Sequence, residues 1–151
     1  MKTIHLIVVG KNKDDSLSSW ERDFTKRLKT ISLKIHELKH FESKEKNDEQ
    51  VIQKAKSLSG KSSPNIILLD ERGKTYTSQK FSGWLFDELQ LTDSLIFVIG
   101  GAEGHGEEIK KVSKSGLSLS DFTLPHRMAR TIFVEQIYRA ETLHIGHPYH
   151  K

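Results

Sequence analysis

Two short runs, Ile66-Ile67-Leu68-Leu69 and Leu95-Ile96-Phe97-Val98-Ile99, are apolar at every position. A strand has that character when both of its faces are covered, as in a parallel sheet held between two layers of helices. The segments around them alternate between strand and helix periodicity. Strands are expected at Thr3 to Val9, Ile31 to Leu38, Asn65 to Leu69 and Ser94 to Ile99, with a short one at Leu117 to Leu119. Between them the spacing predicts a helix through about Lys29, capped by Asp14, Asp15 or Ser16 and burying Trp20, Phe24 and Leu28. A charged loop over 41–50 precedes a helix capped by Asn47 or Asp48, with Val51, Ile52, Ala55 and Leu58 inward. Further helices follow at Ser78 to Leu89, Gly106 to Lys114 and Pro125 to Ile145. The pattern predicts an α/β fold built on a mainly parallel sheet flanked by helices.

A chain of 151 residues suits one domain spanning 1–151, large enough to bury roughly two-thirds of its unfolded surface. With no cysteine it has no disulfide framework, thiol nucleophile or Cys-based zinc site, and a reducing cytoplasm is permitted. The apolar runs are strand-sized, far short of the ~20 residues of a membrane helix. Met1 to Gly10 reads as a first strand rather than a signal peptide, because His5 interrupts it and no small-residue cleavage pattern follows. The net charge of +4 is concentrated in residues 1–63, which suits a polyanionic partner and equally a purely solubilising surface.

In a parallel α/β sheet, ligands sit beyond the carboxyl ends of the strands. One such end is Leu69-Asp70-Glu71-Arg72-Gly73-Lys74; another is Gly100-Gly101-Ala102-Glu103-Gly104-His105-Gly106, with four glycines in seven positions. Glycines let backbone approach a ligand closely, and a helix starting at Gly106 is expected to aim free N–H groups at that space. The spacing from Gly101 to Gly106 opens like a phosphate-binding loop, but Glu107-Glu108 stand where Lys-Ser/Thr is required. The dinucleotide fingerprint fails as well, since G-x-G-x-x-G cannot be laid over these residues. A nucleoside-like ligand without a pyrophosphate remains.

In a third segment, Ser120, Asp121 and Thr123 precede Pro125 at a helix start, a capping arrangement whose polar backbone can also grip an adenine edge. The helix beyond it is apolar over a wide girth, with Met128, Val134 and Tyr138 on a second side, so a second copy of the chain is expected to cover it. The chain ends His144-x-x-His147-Pro148-Tyr149-His150-Lys151. Pro148 prevents one helix from aligning the histidines, so no metal is expected there. The aromatic, imidazole and ammonium groups of the tail could instead stack on a base and pair with a phosphate.

Five stretches together resemble the RlmH family, bacterial large-subunit rRNA pseudouridine methyltransferases of the SPOUT class. They are Leu69 to Lys74; Phe97-Val98-Ile99-Gly100-Gly101-Ala102-x-Gly104; Leu117-Ser118-Leu119-Ser120-x-x-Thr123-Leu124-Pro125-His126-x-x-Ala129-Arg130; Glu135-Gln136-x-Tyr138-Arg139-Ala140; and Pro148-Tyr149-His150-Lys151. Order, spacing and length agree over the whole chain. The resemblance implies S-adenosylmethionine as methyl donor, a trefoil-knotted carboxyl-terminal half, an obligate homodimer and no metal. It places Leu69, Gly100 and the run Leu119, Ser120, Asp121, Phe122, Thr123 and Leu124 against the cofactor, with Gly101 and Gly104 shaping the same loop. It turns His126, Arg130, Tyr149, His150 and Lys151 toward the target nucleotide, the tail completing a site across the dimer. Tyr149 or His150 is then either the base or the group that holds it, and Arg130 offsets charge on the imide oxygens. His105 departs from the leucine common after that glycine loop. The function so implied is N3 methylation of a pseudouridine in large-subunit rRNA on the assembled ribosome, in the cytoplasm. A non-catalytic RNA-binding dimer and a SPOUT enzyme acting on tRNA are the rival readings.

Overall fold

Alternate residues of the first strand go to opposite sides of the sheet: Ile4, Leu6 and Val8 enter one buried cluster, Ile7 and Val9 another. The computed structural model describes residues 1–151, and its elements run β1 (Lys2–Val9), α1 (Asp15–Arg27), β2 (Ile31–Leu38), α2 (Lys44–Ser59), β3 (Ile66–Lys74), α3 (Ser78–Leu91), β4 (Ser94–Ile99), α4 (Glu107–Val112), β5 (Ser115–Leu117) and α5 (His126–Ile145). The five strands form one sheet in the order β2-β1-β4-β3-β5, and every pairing is parallel. Helices α1, α3 and α5 supply Phe24, Leu85 and Phe133 to the larger cluster; α2 and α4 supply Val51, Ala55 and Ile109 to the smaller one. Leu95 to Ile99 of β4 are therefore all buried, because β4 lies inside the sheet with a helix layer on each face. No helix is long and apolar enough to cross a membrane.

Several local expectations are corrected. Helix α2 starts at Lys44, three residues before the expected cap, since the Ser43 side chain accepts from the Lys46 amide. Asn47 and Asp48 are buried inside its first turns. Asn47 instead accepts from the Phe41 amide at 2.9 Å and donates to the Phe41 carbonyl at 2.8 Å, so much of the supposed loop is clamped onto the helix. On α1, Trp20 is 63% exposed. The inward position goes to its neighbour Glu21, whose carboxylate faces the buried Arg130 guanidinium at 3.0 Å. Strand β3 continues past Leu69 to Lys74, with a register shift against β5. Strand β5 lies two residues earlier than expected, at Ser115–Leu117.

The expectation that α5 needs a second copy of the chain to cover it does not survive. Val134 and Tyr138 are buried within a single chain, with the Tyr138 ring against Phe24 of α1 and Tyr149 of the tail. Only Met128 of that side remains exposed. Glu141, 1% exposed, ties α5 to the turn before β2: its carboxylate accepts from the amides of Lys29, Thr30 and Ile31 and from the Thr30 hydroxyl. A buried carboxylate is tolerable because these donors replace its water shell.

Candidate functional site

Because β4, β3 and β5 are neighbours in the sheet, the bends after them converge although they are far apart in sequence. Leu69 and its charged followers leave β3, the glycine loop leaves β4, and Ser118 to Leu124 leave β5. Together they enclose a cavity of about 530 Å³, within the range of small-molecule sites. Leu69, Gly100, Gly101, Gly104, Leu119, Ser120, Phe122 and Leu124 all line it, as does His126 at the start of α5. Asp121 and Thr123 belong to the same bend but not to the lining.

Two imidazoles pin these bends together. Nε2 of His126 lies 2.9 Å from the Gly100 carbonyl and Nε2 of His105 lies 2.9 Å from the Leu69 carbonyl. A carbonyl only accepts, so both nitrogens carry the proton. His105 thus links the β3 and β4 bends. His40 adds a third tie, bonding Glu103 at 2.8 Å. Sequence reasoning missed the roles of His40 and Asp48, and nothing in their local spacing could have shown them, because their partners lie roughly sixty positions downstream.

The free amides expected at the start of α4 are taken. Gly106 N–H and Ile109 N–H each donate to the Asp48 carboxylate at 3.1 Å. A Cβ built at Gly106 would lie 2.3 Å from the same carboxylate, so glycine is there to admit Asp48 and not a ligand. An anion already occupies the helix N-terminus, and a phosphate is excluded from it. Asp48→Ala should remove this long-range cap and cost about 1 to 2 kcal/mol of stability. Thermal unfolding reads the loss, and unchanged melting would refute it. The helix α5 also lacks the expected capping by Ser120, Asp121 or Thr123; it starts at Pro125 with no side-chain cap. The Ser120 hydroxyl accepts from the Phe122 amide instead, at 2.9 Å, which keeps the bend compact.

Arg130, Tyr149, His150 and Lys151 are not brought to this cavity in one chain. Arg130 is 6% exposed; its Nε donates to Glu21 at 3.0 Å and its guanidinium nitrogen to Glu37 at 2.7 Å. Tyr149 donates to Glu135 at 3.0 Å, and burial followed by that carboxylate pushes its phenol above the ordinary value. His150 Nδ1 is 3.0 Å from an Arg139 nitrogen and Nε2 is 3.1 Å from the Gln79 amide. The tail therefore packs on the middle of α5, more than a turn beyond His126. Lys151 is exposed. No group of three or more His, Cys, Asp or Glu side chains is placed to hold a metal ion.

A sequence profile described as a predicted SPOUT methyltransferase matches residues 1–150. The chain belongs to the SPOUT methyltransferase family. It is 32% identical to a protein of Koribacter versatilis, the alignment covering 97% of each chain. It is 37% identical to one from Flavobacterium johnsoniae, over 97% of this chain and 98% of the relative, and 37% identical to one from Bacteroides thetaiotaomicron, over 99% of each. All three relatives are named "Ribosomal RNA large subunit methyltransferase H". SPOUT methyltransferases take S-adenosylmethionine as methyl donor. The residues present suit that molecule. Leu69, Ile99, Leu117, Leu119 and Leu124 offer apolar walls to an adenine plane, and Asp70 and Glu71 bring acceptors for a ribose diol and a cationic sulfonium to the rim. The Asp48 carboxylate at the α4 N-terminus agrees with a ligand that carries no phosphate.

Proposed function

We propose that this SPOUT methyltransferase methylates N3 of a pseudouridine in large-subunit ribosomal RNA, acting in the cytoplasm on the assembled ribosome as a homodimer of single domains spanning 1–151. The observation that carries the reading is the convergence of three strand-end bends on one cavity, together with what the relatives' names say they act on. Bound there, S-adenosylmethionine supplies an electrophilic methyl group. The bends at Leu69, Gly100 and Leu119 to Leu124 hold it, with Gly101 and Gly104 shaping the loop. The protein's main contribution is in-line placement, worth up to about 7 to 11 kcal/mol in well-oriented systems.

His126 faces the target from the cavity side in this reading. Tyr149, His150 and Lys151 lie apart from the cavity of their own chain, so the reading has them complete the site of a second protomer, while Arg130, paired with Glu21 and Glu37, holds the start of α5 in place. Phe122 at the cavity and Met128 on α5, 82% and 47% exposed, are apolar side chains that a second copy would cover. The trefoil-knotted path of the carboxyl-terminal half belongs to the same reading. The basic excess of residues 1–63 meets the phosphates that the folded ribosome presents.

The test is transfer of labelled methyl from S-adenosylmethionine to ribosomes from a strain lacking this gene, followed by mass analysis of the rRNA nucleosides. N3-methylpseudouridine is the expected product. Transfer to free tRNA instead, or cofactor binding with no transfer to any RNA, overturns the proposal.

A further inference from the structure

We infer that His126 is the general base of the methyl transfer, accepting the imide proton of the target ring on Nδ1. The inference rests on the function proposed above and assigns within it the proton acceptor.

Three features of the geometry carry it. First, the Gly100 carbonyl 2.9 Å from Nε2 fixes the tautomer: Nε2 holds the hydrogen, so Nδ1 of the neutral ring has a free lone pair. Secondly, Nδ1 makes no hydrogen bond within the protein. No buried side-chain nitrogen or oxygen lacks a partner, so this atom is open to solvent, and its residue lines the cofactor cavity. Thirdly, the ring is held in place, because it stands at the start of α5 and is tied through Nε2 to the β4 bend. An anchored imidazole with one nitrogen unpaired at the reaction cavity has the parts a general base needs.

The tail groups lack that freedom. Tyr149 must first lose a proton that burial and Glu135 make harder to remove, and both nitrogens of His150 already face Arg139 and Gln79.

The surroundings of His126 keep it unprotonated at neutral pH. Burial lowers its affinity for a proton below the ordinary 6.5, the Gly100 carbonyl opposes this, and Arg130, His40 and Arg127 add repulsion. Arg127 and Arg130 lie on its own helix and His40 on the segment after β2, while Gly10 and Gly100 present backbone only. In the step, the imide nitrogen forms its bond to the methyl carbon with the electron pair of its N–H bond. The carbon–sulfur bond breaks with its pair remaining on sulfur as a neutral thioether. The proton goes to Nδ1, and the resulting imidazolium releases it to water.

Two variants and two readouts test the assignment. His126→Gln places an amide N–H where Nε2 stood, keeping a donor for the Gly100 carbonyl, but has no base; His126→Ala leaves space for free imidazole. With unmodified ribosomes as substrate, both should lose about 10²- to 10⁴-fold in kcat, while in the variant that keeps the donor to Gly100 calorimetric affinity for S-adenosylhomocysteine changes less than threefold. The wild-type fall in kcat/KM at acid pH should disappear in both, and imidazole should restore turnover to His126→Ala. Independently of activity, nitrogen NMR of wild-type protein should show His126 protonated on Nε2 and titrating below 6.5. A loss under tenfold, an acid limb retained in the variants, or equal losses in turnover and cofactor affinity would each overturn the assignment. Should the wild type itself transfer methyl to no ribosomal substrate, the proposed function fails and the base assignment with it.

Discussion

Gly73→Ala is expected to be among the most damaging single-methyl changes in this protein. A Cβ at Gly73 would lie 2.5 Å from the Leu117 amide nitrogen, 2.6 Å from the Gly116 carbonyl carbon and 2.8 Å from the Leu117 carbonyl carbon. All three are backbone atoms of β5 and cannot swing aside as a side chain tip would. The strand must move away from β3, and Ser118 to Leu124, which wall the cofactor cavity, follow β5 directly. Overpacking costs about 1 to 3 kcal/mol, and with three backbone atoms in the way the upper end is expected, which corresponds to a drop in Tm on the order of 10 °C for a domain of this length. Affinity for S-adenosylhomocysteine should fall at least tenfold, because the damage is transmitted to the cavity wall. Gly83→Ala is the control. Gly83 sits on α3 with nothing within 4 Å of its Cβ position, and alanine there should stabilise by about 0.5 to 1 kcal/mol. Equal melting of the two variants would remove the argument.

Arg130→Ala should destabilise the fold by about 3 to 5 kcal/mol, the usual cost of removing one member of a buried ion pair. Glu21, 3% exposed, would keep only the Thr131 hydroxyl and the Asn12 amide as partners. The double change Glu21→Gln with Arg130→Met should recover much of the loss, since no uncompensated charge is then buried. The pH dependence has a definite sign. Burial pushes the Glu37 carboxyl up, but the Asn12 amide and Arg130 outweigh it and hold it below the ordinary 4.5. The paired Glu37 therefore stabilises the protein fully above pH 4.5 and loses that contribution as pH falls through the lowered value. Arg130→Ala should weaken this acid sensitivity, which urea unfolding at several pH values would measure. Were Arg130 engaged only with the target nucleotide, turnover would fall while stability stayed as in the wild type.

The layered α/β plan was legible because it rests on local periodicity. Strands apolar on both faces, such as Leu95 to Ile99, can be explained only by helices on both sides, and α1, α3 and α5 lie on one and α2 and α4 on the other. The bends that line the cavity were legible for a similar reason, since glycines after a buried strand mark a bend whatever the rest of the chain does. Where reasoning failed, a residue was answering to a distant partner. Trp20 had the right spacing to be buried, but the inward place went to Glu21 because Arg130 lies there. Asp48 looked like the cap of its own helix and caps α4 instead.

The sequence alone therefore determined the helix layers, the number of strands, the bends after the strands and, through its motifs, the family. The order β2-β1-β4-β3-β5 was decided by tertiary structure, and with it the meeting of Leu69, Gly100 and Leu119 in one cavity, the tethering of His126 to Gly100 and the sequestering of Arg130 by two carboxylates. The physical reason is range. Periodicity and turn chemistry act over a few residues, whereas strand order and buried hydrogen bonds join groups many tens of positions apart, whose pairing is fixed only when the whole core closes.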